Sequence, residues 1–253
     1  MFRQSLRGII RGPAYYLLSI LPFVLTLFLS AGTQGYLDRF AETAVHVPGP
    51  VVRYSGPVLG AAEQFAVSEL SFILMMVSVL TGLAVLRERH LHVWDRLPCR
   101  GRFFAVHLLT HVGYGLWVLG LNSVLYIIVF EIRFSVSQLA VFASILPLAV
   151  LFGGFTALCV RERSVLSNIV LMAVMLSGYL GGALSLTAVL QNTRFMNVLR
   201  YASPLTLVNE VIYRMHLHLL QGENLVAWAV TLMALSIILL IGCERRIRHG
   251  SII

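Results

Sequence analysis

The chain has 253 residues, of which 58% are hydrophobic and 12% charged, and its mean hydropathy is +0.85. That composition excludes an ordinary soluble protein and indicates a chain solvated by lipid. The 19 basic residues are all arginines, and the net charge is +8. A basic excess can indicate nucleic-acid binding, but these arginines stand in short clusters between apolar runs, so we expect a lipid bilayer and no nucleic-acid partner.

The first thirteen residues predict an interfacial amphipathic helix. The alternative is a charged tail that reflects only the preference for arginine on the cytoplasmic side. No small-residue cleavage site clearly follows, so we expect an uncleaved membrane segment rather than a secretory signal. The two faces of the helix carry Arg3, Arg7 and Arg11 on one side and Phe2, Leu6, Ile9 and Ile10 on the other.

Six apolar windows are long enough to cross a bilayer. The even number puts both termini on one side, and assigning that side to the cytoplasm places 13 arginines inside and 6 outside. The positive-inside rule therefore predicts a multi-pass protein with both termini in the cytoplasm. We expect one all-α transmembrane domain over residues 1–253 with spans at about Ala14–Ala31, Ala66–Leu86, Phe103–Phe130, Gln138–Val160, Asn168–Leu190 and Leu225–Cys243.

Two connecting segments on the predicted outer side differ in character. Gly32–Phe65 contains Pro48, Pro50 and Pro57, which favours a loop with at most one short helix around Tyr36–Val45. Gln191–Asn224 mixes apolar and polar residues and contains a helix-like run, 205–220, directly after Pro204. It predicts short helices at the outer interface before the last span.

Catalytic motifs are missing from the sequence. The two aspartates, Asp38 and Asp95, lie in predicted loops, and neither H-E-x-x-H nor G-x-S-x-G occurs. A P-loop requires a lysine, and the sequence has none, so any ATP would be hydrolysed by a partner. We expect no enzyme activity, no cofactor and no metal in these 253 residues. Cys99, Cys159 and Cys243 show no metal-ligand spacing and are expected to be reduced thiols near the cytoplasmic side.

Three polar or small-residue features fall within the spans. His107 and His111 have the i, i+4 spacing of a metal pair, but hydrogen bonding to a neighbouring helix is the more ordinary interpretation. Glu69 is a carboxylate among apolar neighbours, which makes it a functional-site candidate or an interfacial acid. Glycines at 153, 154, 178, 181 and 182 indicate close helix packing, or a turn at the outer end of the fifth span.

The segment 87–98, Arg-Glu-Arg-His-Leu-His-Val-Trp-Asp-Arg-Leu-Pro, follows the second span. Its alternating charges and the apolar side formed by Val93, Trp94 and Leu97 predict a short amphipathic helix suited to a groove in a partner. A solvated arginine-rich loop is the alternative.

This segment resembles the first cytoplasmic loop of type-2 ABC transporter permeases, which typically carries Glu-Arg-Glu-x-Gly-Thr, a leucine and then a proline. Glu88, Arg89, Trp94, Arg96 and Leu97 fall in register, whereas His90, His92 and Val93 replace the usual Glu, Gly and Thr. The runs 177–182 and 196–210 also look like the glycine-ended fifth span and the outer helical hairpin with its Pro-Leu-Thr sequence in that family. The resemblance covers nearly the whole chain.

The resemblance implies the membrane subunit of a bacterial exporter built from two permease subunits, as a homodimer or heterodimer, and two ABC ATPase subunits that bind ATP and Mg. It implies that the helix 1–13 is a connecting helix and that 87–102 is a coupling helix. The ATPase-coupling residues are then Glu88, Arg89, Trp94, Asp95, Arg96 and Leu97. The second and fifth spans would border the path of a drug, peptide or lipid-like substrate at Glu69, Phe72, Met76, Ser177 and Tyr179.

Two alternatives remain at this level. An ion-coupled carrier made of two inverted three-helix halves is suggested by Pro22 and Pro147, which interrupt the first helix of each half, although neither span has an acid to bind the coupling ion. A membrane subunit used for immunity or signalling, without transport, would share the same fold.

Overall fold

The computed structural model describes residues 9, 11–42, 61–91, 100–184, 194–219 and 222–249. These residues form α-helices and one 3-10 helix, and none of them lies in a β-strand. The helices are α1 Pro13–Glu42, α2 Ala61–His90, α3 Arg100–Phe130, α4 Val136–Ala143, α5 Ile145–Cys159, α6 Arg163–Gly181, α7 Arg194–Leu199, α8 Pro204–His216 and α9 Gly222–His249. The 3-10 helix Arg200–Ala202 joins α7 to α8.

Six candidate membrane spans occur among the described helices, as the sequence predicts. They are Pro13–Gly32, Ala62–His90, Arg100–Phe130, Val136–Cys159, Arg163–Gly181 and Leu225–Arg248. We call one end of this bundle, where α2, α5 and α9 end and where α1, α3 and α6 begin, the arginine-rich end. The end that carries α7 and α8 is the hairpin end. Of the predicted connecting helix 1–13, most lies outside the described residues; Ile9 is buried and Arg11 is exposed.

The second helix, α2, is the centre of the bundle and contacts α1, α3, α5, α6 and α8. Its closest neighbour is α5, where the two backbones nearly touch. A Cβ added to Gly153 would lie 2.0 Å from the Ser78 carbonyl oxygen, and one added to Gly82 would lie 3.0 Å from the Gly153 carbonyl oxygen. Small residues on both helices therefore allow the backbones to approach more closely than larger side chains would permit. This confirms the packing role predicted for Gly153.

Polar side chains join α1 to α3 along one seam. Tyr114 Oη donates to the Tyr15 carbonyl at 2.6 Å, and Asn122 Nδ2 donates to the Ser19 carbonyl at 2.7 Å. Nearer the hairpin end, the hydroxyls of Thr26 and Tyr126 are 3.1 Å apart. Because α1 and α3 run in the same direction, equivalent steps along both helices bring these groups together. The seam satisfies polar groups that lipid would leave without partners.

The fourth predicted span is divided at Ser144 into α4 and α5. Pro147 has no backbone N–H to donate to the Ala143 carbonyl, and its ring would crowd that group in a continuous helix. The interruption is local, because Ser144 keeps right-handed helical dihedral angles and its N–H donates to the Ala140 carbonyl, and α4 and α5 together form the one span Val136–Cys159. By contrast, Pro22 lies inside an unbroken α1, so the two prolines do not act equivalently.

The helices differ from the predicted spans at three places. The first span, Pro13–Gly32, agrees with the predicted Ala14–Ala31, but the helix continues beyond it to Glu42. The fifth span ends at Gly181 and not at Leu190. The last helix extends past Cys243 to His249. Its last turns are charged, and the i, i+4 pair Glu244 and Arg248 stabilises a helix there.

The end of α6 explains its early termination. Gly182 has φ of 89°, a left-handed conformation that favours glycine. Its N–H donates to the Tyr179 carbonyl, and the N–H of Ala183 donates to the Gly178 carbonyl at 2.9 Å. These two bonds form a Schellman motif, which closes the helix. The sequence analysis gave a turn at the outer end of the fifth span as one of two alternatives for these glycines. Gly182 forms that turn.

The remaining carbonyls at this end of α6 bind side chains of the hairpin. Ser203, Thr206 and Asn209 lie one turn apart and donate to the carbonyls of residues 177, 180 and 181 at 3.0, 3.0 and 2.8 Å. A Cβ on Gly181 would lie 2.9 Å from Leu205 Cβ, so α8 sits directly on the helix end. The predicted short helices after Pro204 are confirmed, and they cap α6.

The close contact of α2 and α5 leads to a prediction about stability. We expect Gly153→Ala to lower the unfolding midpoint in detergent, at a cost of about 1–3 kcal/mol, because a methyl group would force two backbones apart. The control is Gly120→Ala on α3, where an added Cβ has nothing within 4 Å. Equal midpoints for the two variants would contradict this account of the packing.

Candidate functional site

The arginine-rich end of α2 is bonded to three neighbouring elements. Arg89 Nη1 donates to the Ala157 carbonyl at 2.5 Å and to the Val160 carbonyl at 3.2 Å. Both acceptors lie at the end of α5, which runs parallel to α2. The guanidinium therefore stands between two helix C-termini, where unpaired carbonyls and the helix dipoles favour a positive charge.

The residues on either side of Arg89 extend this junction. His90 Nε2 is 2.9 Å from the carbonyl of Arg161, in the connection between α5 and α6, so this nitrogen is the donor. Glu88 Oε1 lies 3.5 Å from His107 Nε2 on α3. The last turn of α2 is thus linked to α3, to the end of α5 and to the connection between α5 and α6. A displacement of this turn would be transmitted to all three.

Of the six residues predicted to couple to an ATPase, Glu88 and Arg89 belong to this junction, and both contact groups of this chain. Trp94, Asp95, Arg96 and Leu97 lie in 92–99, outside the described residues. The helix α2 itself continues to His90, so the segment 92–99 starts directly beyond the junction.

The two histidines of α3 hydrogen-bond within the bundle. His111 Nδ1 is 2.9 Å from the His107 carbonyl, which can only accept, so this nitrogen carries the proton. In the neutral ring His111 Nε2 then accepts from the Tyr15 hydroxyl at 3.0 Å. Among the described residues, no three His, Cys, Asp or Glu side chains are grouped as metal ligands would be.

The predicted substrate-path residues lie on neighbouring parts of α2 and α6 but do not share one surface. Glu69 and Phe72 are buried, and the Phe72 ring occupies the space that Gly178 leaves open. Met76 and Ser177 are half-buried, and Tyr179 is 41% exposed. In the single chain, therefore, only part of this set can reach a surface.

The Glu69 side chain is 0% exposed, and neither carboxylate oxygen has a hydrogen-bond partner within the described part of the chain. It lies within electrostatic range of Tyr126, whose hydroxyl contacts Thr26. Burying an unpaired carboxyl group costs several kcal/mol. Glu69 is therefore a costly residue for the fold, which supports its selection as a functional candidate over the interfacial alternative.

An ionic cluster in the hairpin was not predicted from the sequence. Glu210 accepts from Arg200 Nη2 at 3.1 Å through one oxygen and from Arg214 Nη2 at 3.1 Å through the other. Arg200 also lies 4.8 Å from the Tyr201 ring centroid. The i, i+4 spacing of Glu210 and Arg214 was a visible signal, but Arg200 joins only because the chain reverses at Ser203.

Comparisons of the chain with protein-family models, with curated proteins and with solved structures give no match.

The junction leads to a prediction for Arg89. We expect Arg89→Ala to reduce stability by about 1.5–3 kcal/mol, because charged hydrogen bonds to two helix-end carbonyls are lost. Hydrogen–deuterium exchange should also rise across residues 157–163. The control is Arg246→Ala, which removes an exposed arginine from the same end of the bundle. If exchange in 157–163 is unchanged by Arg89→Ala, this arginine does not hold the junction together.

Proposed function

We propose that this chain is the membrane subunit of an ATP-driven exporter of the type-2 ABC class, coupled to a separate ATPase subunit. The observation that carries the proposal is the junction at Glu88, Arg89 and His90. The charged segment that resembles a coupling helix continues directly from the turn that links α2 to α3, to the end of α5 and to the connection between α5 and α6.

This arrangement suits the transmission of force. An ATPase that moves 92–99 would pull on the last turn of α2, and the bonds of that turn would carry the movement to the neighbouring helices. The central helix α2 would then move together with the core helices. It would move relative to α9, which faces the lipid. A junction at the membrane surface is useful where work is done by a partner, and the sequence has no lysine for a P-loop of its own.

The hairpin end adds a second line of support. The order of elements, a glycine-ended span followed by short helices and a last span, is that of the resemblance in the sequence. The short helix α8 packs on the end of α6 and on the start of α2, where Tyr213 Oη donates to the Gln64 carbonyl at 3.1 Å. The two helices proposed to border the substrate path, α2 and α6, are therefore joined at this end through α8.

The ion-coupled carrier is retained as a second candidate because of Glu69. A buried carboxyl group is what such a carrier needs for a proton or cation, although Glu69 lies in the second span and not in the spans that contain Pro22 and Pro147. Transport into inverted vesicles separates the two functions: the exporter requires ATP and its ATPase, and the carrier requires an ion gradient. A subunit for immunity or signalling would transport with neither.

The coupling proposal predicts a specific effect of Trp94→Ala. An aromatic anchor in a partner's groove contributes about 2 kcal/mol or more, so we expect retention of the copurifying ATPase to fall about 30-fold and export to stop, with the membrane domain still folded. The control is Arg245→Ala, an exposed residue near the end of α9 and outside 87–102, which should leave both near wild type. Equal behaviour of the two variants would remove the coupling assignment.

The substrate-path proposal predicts that Glu69→Gln changes substrate-stimulated ATPase activity. The replacement keeps the shape of the side chain and removes its charge, so we expect the unfolding midpoint to stay the same or rise. Glu131→Gln, at an exposed glutamate beyond the end of α3, is the control and should alter neither quantity. Unchanged stimulation in Glu69→Gln would exclude this residue from the path.

A further inference from the structure

A cavity of about 640 Å³ opens at the arginine-rich end between α1, α2, α3 and the start of α6. Its volume is within the range of small-molecule and cofactor sites. Along α2 its lining runs from Leu80 to His90, which corresponds to about 15 Å of helix. The charged residues begin at Arg87, so the part from Leu80 to Leu86, about 9 Å, extends partway into one lipid leaflet, whose share of the hydrocarbon core is about 15 Å.

The cavity changes in polarity along this length. On α2 its deep part is lined by Leu80, Leu83 and Ala84, and its mouth carries Arg87, His90 and Arg163. The other walls contribute Tyr15, His107 and His111. An occupant that fits both parts has an apolar chain and an anionic head. A free inorganic anion would leave the apolar part empty, and an uncharged apolar molecule would leave the arginines at the mouth without a counter-charge.

The polar groups on the wall are already bonded to the protein. His111 binds the Tyr15 hydroxyl and the His107 carbonyl, and Glu88 is 3.5 Å from His107. The one acidic residue of the lining is therefore near a histidine, while two arginines face the mouth. The net excess of positive charge at the mouth favours an anion.

A neighbouring cavity of about 650 Å³ shares His90 and Arg163 with the first one. It adds Arg161, Glu162 and the hydroxyls of Ser164 and Ser167 around the first turn of α6, so its two arginines outnumber its one acid. No side chain caps this helix start, so its backbone N–H groups can bind an oxygen anion. The headgroup region thus continues from one cavity into the next and offers both charge and hydroxyl contacts.

From these features we infer that this chain holds an anionic glycerophospholipid at the arginine-rich end. Its phosphate lies between Arg87 and Arg163, and one acyl chain lies along Leu80, Leu83 and Ala84. Basic pockets between transmembrane helices are established sites for anionic lipid headgroups. The inference is independent of the proposed function, since it requires neither an ATPase nor a transported substrate.

The test is native mass spectrometry of the full chain, purified in detergent and titrated with phosphatidylglycerol, phosphatidylcholine or inorganic phosphate. We expect one phosphatidylglycerol to be retained per chain in preference to phosphatidylcholine. The Arg87→Gln/Arg163→Gln double variant should weaken its binding about 30-fold, at about 5-fold for each arginine. The matched control is Arg245→Gln/Arg246→Gln, which removes two exposed arginines from the end of α9 and should leave binding unchanged.

A second pair of variants tests the acyl chain and keeps the inference testable if the double arginine variant does not fold. Leu83→Trp fills the apolar part of the cavity and should weaken phosphatidylglycerol binding by at least about tenfold. Ile238→Trp, on the exposed apolar face of α9, should have no effect. Equal binding by each variant and its control, or equal retention of the two lipids, would overturn the inference. Displacement of the lipid by an equal concentration of inorganic phosphate would also overturn it, because the site would then bind a free anion.

Discussion

The contact between α2 and α5 is the constraint on which the rest of the bundle depends. Gly82 and Gly153 let the two helices approach until their backbones touch, and the two helices end side by side. At this short separation the Arg89 guanidinium reaches the carbonyls of Ala157 and Val160. The small residues in the middle of the membrane and the charged junction at its surface are therefore parts of one arrangement. If α2 and α5 were farther apart, the Arg89 guanidinium and the two carbonyls at the end of α5 would need other hydrogen-bond partners.

Most polar side chains inside the bundle follow one rule, and among the described residues the exceptions include Ser78 Oγ, Trp228 Nε1 and both carboxylate oxygens of Glu69. The seam between α1 and α3, the carbonyls at the end of α6 and the Arg200, Glu210 and Arg214 cluster all place donors opposite acceptors. Lipid cannot replace these partners, so each unpaired group would cost several kcal/mol. Glu69 lacks a partner among the described residues, and that cost is easiest to understand if the carboxyl group has a function.

The arginine-rich end of α2 gives the two proposals, ATPase coupling and lipid binding, a common physical basis. The junction at the arginine-rich end lies beside the lipid-sized cavity, and Arg87 and Glu88 stand between the bonded last turn and the cavity wall. A lipid in this cavity would contact α1, α2, α3 and the start of α6, and the junction joins α2 to α3 and to the end of α5. Lipid binding and force transmission would therefore both act on α2 and α3, one from the membrane side and the other from the aqueous side.

The sequence by itself determined that the described chain is helical and has six candidate spans, because hydropathy acts locally. It also determined the helix that begins at Pro204 and the glycine-dependent packing, because proline and glycine act locally as well. It also identified Glu69, whose surroundings on its own helix are apolar. It did not determine where α1 and α6 end, since those ends depend on the run after Gly32 and on bonds from α8. The roles of Arg89, His111 and Arg200 were decided only in the tertiary structure. Their partners lie 68, 96 and 10 positions away along the chain, and such contacts exist only after the helices have packed.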